Sequence, residues 1–335
     1  MRVRFPIPDE IFHPDPGGRG CSAEPRDICA ANTPARPSAA AQRGPAIRAG
    51  KLAPGRFGHG RWYHLAGGKD TLHYRFVRTH VIAVANQKGG VGKTTTTVNL
   101  AACLAAMGRK VLLIDLDSQA NATSGVGLEK LEGGSVYRPL LGEGTLLERI
   151  KTTAFPNLSV IASEVDLCGA EVELARTEDY LNRLRVALQP IRDLGMFEVI
   201  VFDCPPALGI LTLNSYAAAD WLIVPLQCEY YALEGIATVN RIHGQIRDGG
   251  INPNLQLLGV LMTMYDGRTR LSQSVVGEVR EHFGEKVFDT VIPRTTRLAE
   301  APSHGKPIIH YDKYSAGSAA YEVFAEEVVK RLGLK

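Results

Sequence analysis

Aromatic residues are scarce in this 335-residue sequence, at 7%, and only two of them are tryptophan. No stretch approaches the roughly 18 to 20 uninterrupted apolar residues that a membrane-spanning helix requires, which excludes an ordinary helical membrane protein. The opening Met1-Arg-Val-Arg-Phe-Pro6 lacks the apolar centre of a secretory signal, so a cytoplasmic protein is expected. Cysteine is also thin: Cys21, Cys29, Cys103, Cys168, Cys204 and Cys228 are scattered, with no Cys-x-x-Cys pair and no histidine cluster at metal spacing. Their distribution argues against a disulfide scaffold, a structural zinc, or an iron–sulfur cluster held on cysteine pairs. A strong charge of one sign is missing too, the formal net charge being +3. That figure hides an asymmetry: residues 1–79 hold 13 of the 38 Lys and Arg and 6 of the 35 Asp and Glu, leaving a mildly acidic remainder of 25 against 29. Any nucleic-acid surface on the folded part must therefore be a local patch.

What is present falls into two regions. Residues 1–78 carry nine prolines and ten glycines without sustained helical or strand periodicity. They read as a disordered basic extension, with weak structure at Gly60-Arg-Trp-Tyr-His-Leu65, and serve as a DNA-touching arm, an inert tail or an over-long gene start. From Val81 the pattern alternates. Continuous apolar runs at 81–85, 111–115, 158–162, 199–203, 221–225, 256–262 and 287–292 read as strands covered on both faces. Helical stretches lie between them at 94–107, 171–188, 232–247 and 272–284. This alternation predicts one α/β domain over 80–335, a mostly parallel twisted sheet with helices on both faces.

Three motifs carry chemistry. Strand 81–85 runs into Gln87-Lys-Gly-Gly-Val-Gly-Lys-Thr-Thr95 and a helix. Gly89, Gly90, Val91 and Gly92 can curl backbone N–H groups around phosphate, Lys93 can neutralise it, and Thr94, followed by Thr95, can ligate Mg²⁺. The loop departs from the usual phosphate-binding form, having Gln87 where glycine is expected and an additional cation, Lys88. A second apolar strand ends in Asp115-Leu-Asp117, placing two carboxylates at the strand edge where open α/β sheets bind ligands. They can hold Mg²⁺ through water or orient an attacking water. A third strand ends at Asp203-Cys-Pro-Pro206, an aspartate suited to Mg²⁺ in a P-loop NTPase, with two prolines stiffening the turn.

Together with Gln227-Cys-Glu-Tyr-Tyr-Ala-Leu-Glu-Gly235 and Pro293-Arg-Thr-Thr-Arg297 onward to Pro307, these motifs resemble the ParA/Soj-type partitioning ATPases of the deviant Walker A class over about residues 80–333. The resemblance implies ATP and Mg²⁺ as cofactors. It implies that Lys88 is a signature lysine reaching the partner's nucleotide across an ATP-dependent homodimer. By the same likeness Thr94 and Asp203 hold the metal, Asp115 supports the metal shell or packing, Asp117 serves hydrolysis together with Lys88 and Lys93, and Pro293 and Thr295 contact adenine. Ser118 and Ala120 stand where close relatives often have proline and glycine. Arg268 and Arg297 align with residues the family uses on nonspecific DNA, and Arg270 and Arg294 lie on the same two loops. A ParB-type centromere-binding partner, a nucleoid-associated location and a role in segregating chromosome or plasmid DNA are implied with them.

Two rival readings are a MinD-like membrane-associated ATPase and a nucleotide-gated DNA-binding regulator with little turnover. The C-terminal stretch bears on the first. Tyr321, Phe324, Ala325, Val328, Val329 and Leu332 make an apolar stripe, but Glu322, Glu326 and Glu327 lie beside Lys330 and Arg331 on the other face, which disfavours anionic lipid. A helix packed on the sheet, and no membrane partner, is expected.

Overall fold

A computed structural model describes residues 53–57, 60–64, 78–130, 132–229, 241 and 244–334. Most of the expected disordered extension lies outside the described residues; within it Ala53–Phe57 (β1) and Gly60–His64 (β2) pair as a separate two-stranded sheet.

The main sheet has eight strands: β3 His80–Val84, β4 Val111–Asp115, β5 Ile150–Thr152, β6 Leu158–Ile161, β7 Val199–Asp203, β8 Trp221–Gln227, β9 Gln256–Tyr265 and β10 Val287–Pro293. Their order is β10-β9-β8-β3-β7-β4-β6-β5, parallel except for β5, which runs against β6. The period of two along each strand explains the layering. Val81, Ala83, Leu112, Ile114, Ile200 and Phe202 face one apolar cluster; Ile82, Val84, Val111, Leu113, Val199 and Val201 face another. Each face therefore needs a cover of helices, and both have one.

On the second face lies α1 (Lys93–Ala106), whose Leu100 and Leu104 are fully buried. Short helices follow at Asn121–Gly125 (α2) and Tyr137–Leu141 (α3). The first face is covered by α4 (Leu167–Leu174), α5 (Arg183–Leu194) and α6 (Ile210–Ala218) through Leu174, Leu188, Leu211 and Tyr216. Helix α7 (Arg270–Phe283) covers β8, β9 and β10 with Val275, Val276 and Val279. Then come α8 (Thr296–Glu300), α9 (Ile308–Tyr311) and α10 (Ala316–Leu332). The C-terminal stripe is consumed by packing, since Tyr321, Phe324, Ala325 and Val328 are buried against the sheet. Ser315 caps α10, its hydroxyl accepting the Ser318 N–H at 3.2 Å.

Several expected elements differ. The single helix expected at 171–188 is two, α4 and α5, separated around Thr177 and Asp179. The Thr177 hydroxyl donates back to the Leu174 carbonyl at 2.8 Å, and Asp179 takes a positive φ of 54°, which ends helical geometry. The strands β8 and β9 run further than expected, to Gln227 and Tyr265, and β5 has no counterpart in the reading of the sequence. Most of the helix expected at 232–247 lies outside the described residues; residues 244–248 are helical.

Candidate functional site

Strand register assembles the site. Val84 pairs with Asp203, and Asp203 pairs in turn with Asp115, so the ends of β3, β7 and β4 lie in one row at the C-terminal edge. The phosphate-type loop leaves β3 from that row. Asn86 fixes its start: the side-chain amide donates to the Pro225 carbonyl at 2.8 Å, while its Oδ1 accepts the Lys88 N–H at 3.0 Å. Gly90 and Gly92 take φ of 74° and 88°, left-handed values that glycine adopts without strain. A Cβ at Gly89 or Gly90 would meet nothing within 4 Å, so space stands open over the loop. From the far side, the Thr263 hydroxyl on β9 donates to the Val91 carbonyl at 2.8 Å.

The two lysines are sorted by burial. Lys93 is 7% exposed, and its Nζ donates to the Lys88 carbonyl at 3.0 Å, which ties the loop across its mouth. Burial lowers the Lys93 pKa, opposed by the charge of Asp203 and then by Cys204 and Asp117. Lys88 points outward, its side chain 44% exposed and 3.6 Å from Glu229, which also accepts the Gln227 amide at 2.5 Å. Thr94 and Thr95 are half-buried on the first turn of α1.

Both strand-end carboxylates are fully buried. Asp203 accepts from the Thr97 hydroxyl at 3.1 Å, and the Thr94 hydroxyl lies close enough to oppose the rise in its pKa. Its other oxygen, Oδ2, is buried with no hydrogen-bond partner among the described residues. Burial and the facing Asp115 raise the Asp203 pKa. A buried carboxylate with a bare oxygen beside a threonine hydroxyl fits a hard, oxygen-loving cation, so these residues suit Mg²⁺. Asp115 is different: it accepts the Thr123 N–H at 2.8 Å, the Thr123 hydroxyl at 2.7 Å and the Asp117 N–H at 3.1 Å. Burial pushes its carboxyl up to about 6 against those hydrogen bonds. Its geometry is that of an anchor for the following loop rather than of a free ligand. Asp117 is half-buried, with Oδ1 accepting the Gln119 N–H at 3.0 Å, and lies close enough to Lys93 to act on its charge. Ala120 then holds a φ of 54°, a left-handed position that explains why glycine suits it.

Pro293 ends β10 rather than lying in the loop after it, and Thr295 caps α8, its hydroxyl accepting the Leu298 N–H at 3.3 Å. The basic residues lie at the same sheet edge, where Pro293 pairs with Tyr265 and the Arg294 N–H donates to the Tyr265 carbonyl at 3.0 Å; only Arg268 and Arg294 are on loops, whereas Arg270 begins α7 and Arg297 lies in α8. Arg268 and Arg297 are both ion-paired within the chain, while Arg270 and Arg294 are exposed and make no ion pair among the described residues. Reading the sequence missed Asn86, Thr97, Thr123 and Thr263. Only Thr97 left a local signal, one helical turn after Lys93, from whose carbonyl its hydroxyl is 2.9 Å away.

Against known proteins, a family model described as an AAA domain matches residues 79–257. The chain is 48% identical over 252 residues to the chromosome partitioning protein ParA of Caulobacter vibrioides, covering 75% of this chain and 94% of that protein. It is equally 48% identical over 250 residues to the sporulation initiation inhibitor protein Soj of Bacillus subtilis, covering 74% of this chain and 97% of that one. Among solved structures, cobyrinic acid a,c-diamide synthase from Mycobacterium smegmatis with bound ADP and magnesium matches with a TM-score of 0.66 and 36% identity, over 76% of this chain and 96% of that chain.

Proposed function

Because this chain belongs to the ParA/Soj family of chromosome-partitioning ATPases, we propose that it is an ATP-gated dimerising switch that holds nonspecific DNA and lets go on hydrolysis. The observation that carries the reading is the division of the two loop lysines: Lys93 inside, at 7% exposure, and Lys88 outside, its side chain 44% exposed and its ammonium only loosely paired with Glu229 at 3.6 Å. One cation suffices to neutralise phosphate within the subunit. The other is useful when two loops face each other, so ATP becomes the bond between subunits.

In this reading the amides of Gly89 to Gly92 and the Lys93 ammonium bind the phosphates of ATP, with Thr95 behind them. Thr94 and Asp203 hold Mg²⁺, which supplies charge neutralisation at the phosphates when bound. Asp117, half-buried beside Lys93, orients the attacking water, and Asp115 keeps the Asp117 loop in place through Thr123. Pro293 and Thr295 border the adenine. Arg268, Arg270, Arg294 and Arg297 bind DNA phosphates without reading sequence, and a ParB-type centromere-binding protein accelerates turnover. The ATPase domain begins by Thr79, where the family match starts and whose hydroxyl donates to the Phe197 carbonyl at 2.7 Å.

Light scattering with ATP and with ADP tests the switch. The wild type is expected at twice the monomer mass with ATP alone. A Lys88→Ala variant is expected to bind ATP yet stay monomeric; an undiminished dimer would overturn the role of Lys88 across the seam.

A further inference from the structure

The two arginines at 268 and 297 differ from their neighbours in one respect: each is already held by carboxylate. Arg297 sits 3.1 Å from Glu300 and 3.3 Å from Asp312. Arg268 is gripped more fully, its Nε 2.9 Å from Asp266 Oδ1 and its Nη2 2.7 Å from Oδ2, while its side chain stays 91% exposed. This two-point fork is the geometry by which arginine takes a phosphate. Asp266 Oδ1 also accepts the Arg268 N–H at 3.1 Å, and its carbonyl accepts the Thr269 N–H at 3.0 Å, so the loop presents the carboxylate rigidly. Hydrogen bonds from Arg268, with the nearby charge of Arg294, hold the Asp266 pKa down at about 2. Asp266 is thus a fixed negative charge on Arg268 and within reach of the charge of Arg294, two of the arginines assigned above to DNA.

Resting on the DNA reading above, we propose that Asp266 is an internal stand-in for phosphate: it occupies Arg268 until DNA displaces it, and thereby sets the strength of nonspecific binding. An exposed ion pair is worth little in water, so a duplex can displace it. The displaced carboxylate then remains beside DNA phosphate and weakens the complex. A partitioning switch gains from this, because binding that is too tight would not be reversed by hydrolysis.

Anisotropy of a labelled random-sequence duplex with the full chain and ATP, across a salt series, tests the proposal. Asp266→Asn keeps an acceptor for the loop N–H and removes the charge; a thermal melt of each variant checks the fold. The variant is expected to bind about 8-fold tighter at about 0.1 M salt, with the slope of log K against log salt steeper by about 0.9. In an Arg268→Ala background the same substitution is expected to gain markedly less. Wild type that binds while Asp266→Asn binds no tighter, or weaker, overturns the proposal and makes Asp266 an orienting partner instead. Equal gains in both backgrounds overturn Arg268 as the group held. If neither wild type nor variant binds the duplex with ATP, the DNA reading itself falls, and this proposal with it.

Discussion

Lys93 has its ammonium on a carbonyl of its own loop at 3.0 Å, a bond that an incoming phosphate would replace with a charged one. Lys93→Ala is therefore expected to weaken ATP binding roughly 10- to 100-fold or more, read by nucleotide titration. Asp117→Ala is expected to slow phosphate release about 100-fold or more while leaving the ATP-bound dimer on DNA; unchanged turnover would move the water-orienting role elsewhere. His80 gives a pH prediction away from the nucleotide. Burial, with Arg78 nearby, holds its pKa below the usual 6.5, and its Nδ1 accepts the Trp221 indole N–H at 3.3 Å. The unfolded chain takes up a proton near pH 6.5 that the native imidazole refuses, so stability falls as pH drops through that value. Denaturant midpoints should show this acid loss in the wild type and less of it in His80→Gln. The candidate site residues could be picked from the sequence because each stands in a short motif with its own chemistry, and the fold brings Lys93, Thr94, Asp115, Asp117 and Asp203 to one sheet edge. Thr263 was not, since its partner Val91 is 172 residues away and a threonine inside a strand carries no mark of that contact.

Elements were legible where burial on both faces writes an apolar run, as in β3, β4 and β7, each with all five residues buried. They were less so where polar details decide. Residues 171–188 have a helical pattern, yet the Thr177 back-bond and the positive φ at Asp179 divide it. The three-residue β5 is half-exposed or exposed throughout, so no hydrophobic pattern announces it. One packing contact is decisive at this scale. Gly127 after α2 and Gly305 before α9 both have positive φ, and a Cβ on Gly305 would fall 2.8 Å from the Gly127 Cα. Gly305→Ala must push these two segments apart, and is expected to cost about 1–3 kcal/mol in a denaturant titration. A melt indistinguishable from wild type would show that the contact yields easily.

At the scale of the molecule, the sheet gathers three strand ends into a nucleotide edge, and β9 and β10 carry the basic loops at that same edge. In the proposed switch, ATP state and DNA contact would be coupled through the arrangement of two subunits rather than through a long internal path. The sequence showed the sheet and its edge, since both follow from alternation and from where apolar runs stop. It did not show that Arg268 and Arg297 are already paired: the Arg268 pair depends on the turn geometry around Asp266, and the Arg297 pairs depend on the short helix α8 and on Asp312, neither of which the sequence reading placed. The measurement that tests the account most directly is DNA affinity of the full chain with ATP, with ADP and without nucleotide, over one salt series. Binding that is strong and steeply salt-dependent with ATP, and weak in the other two states, is the predicted result. Equal binding in all three states would contradict the switch.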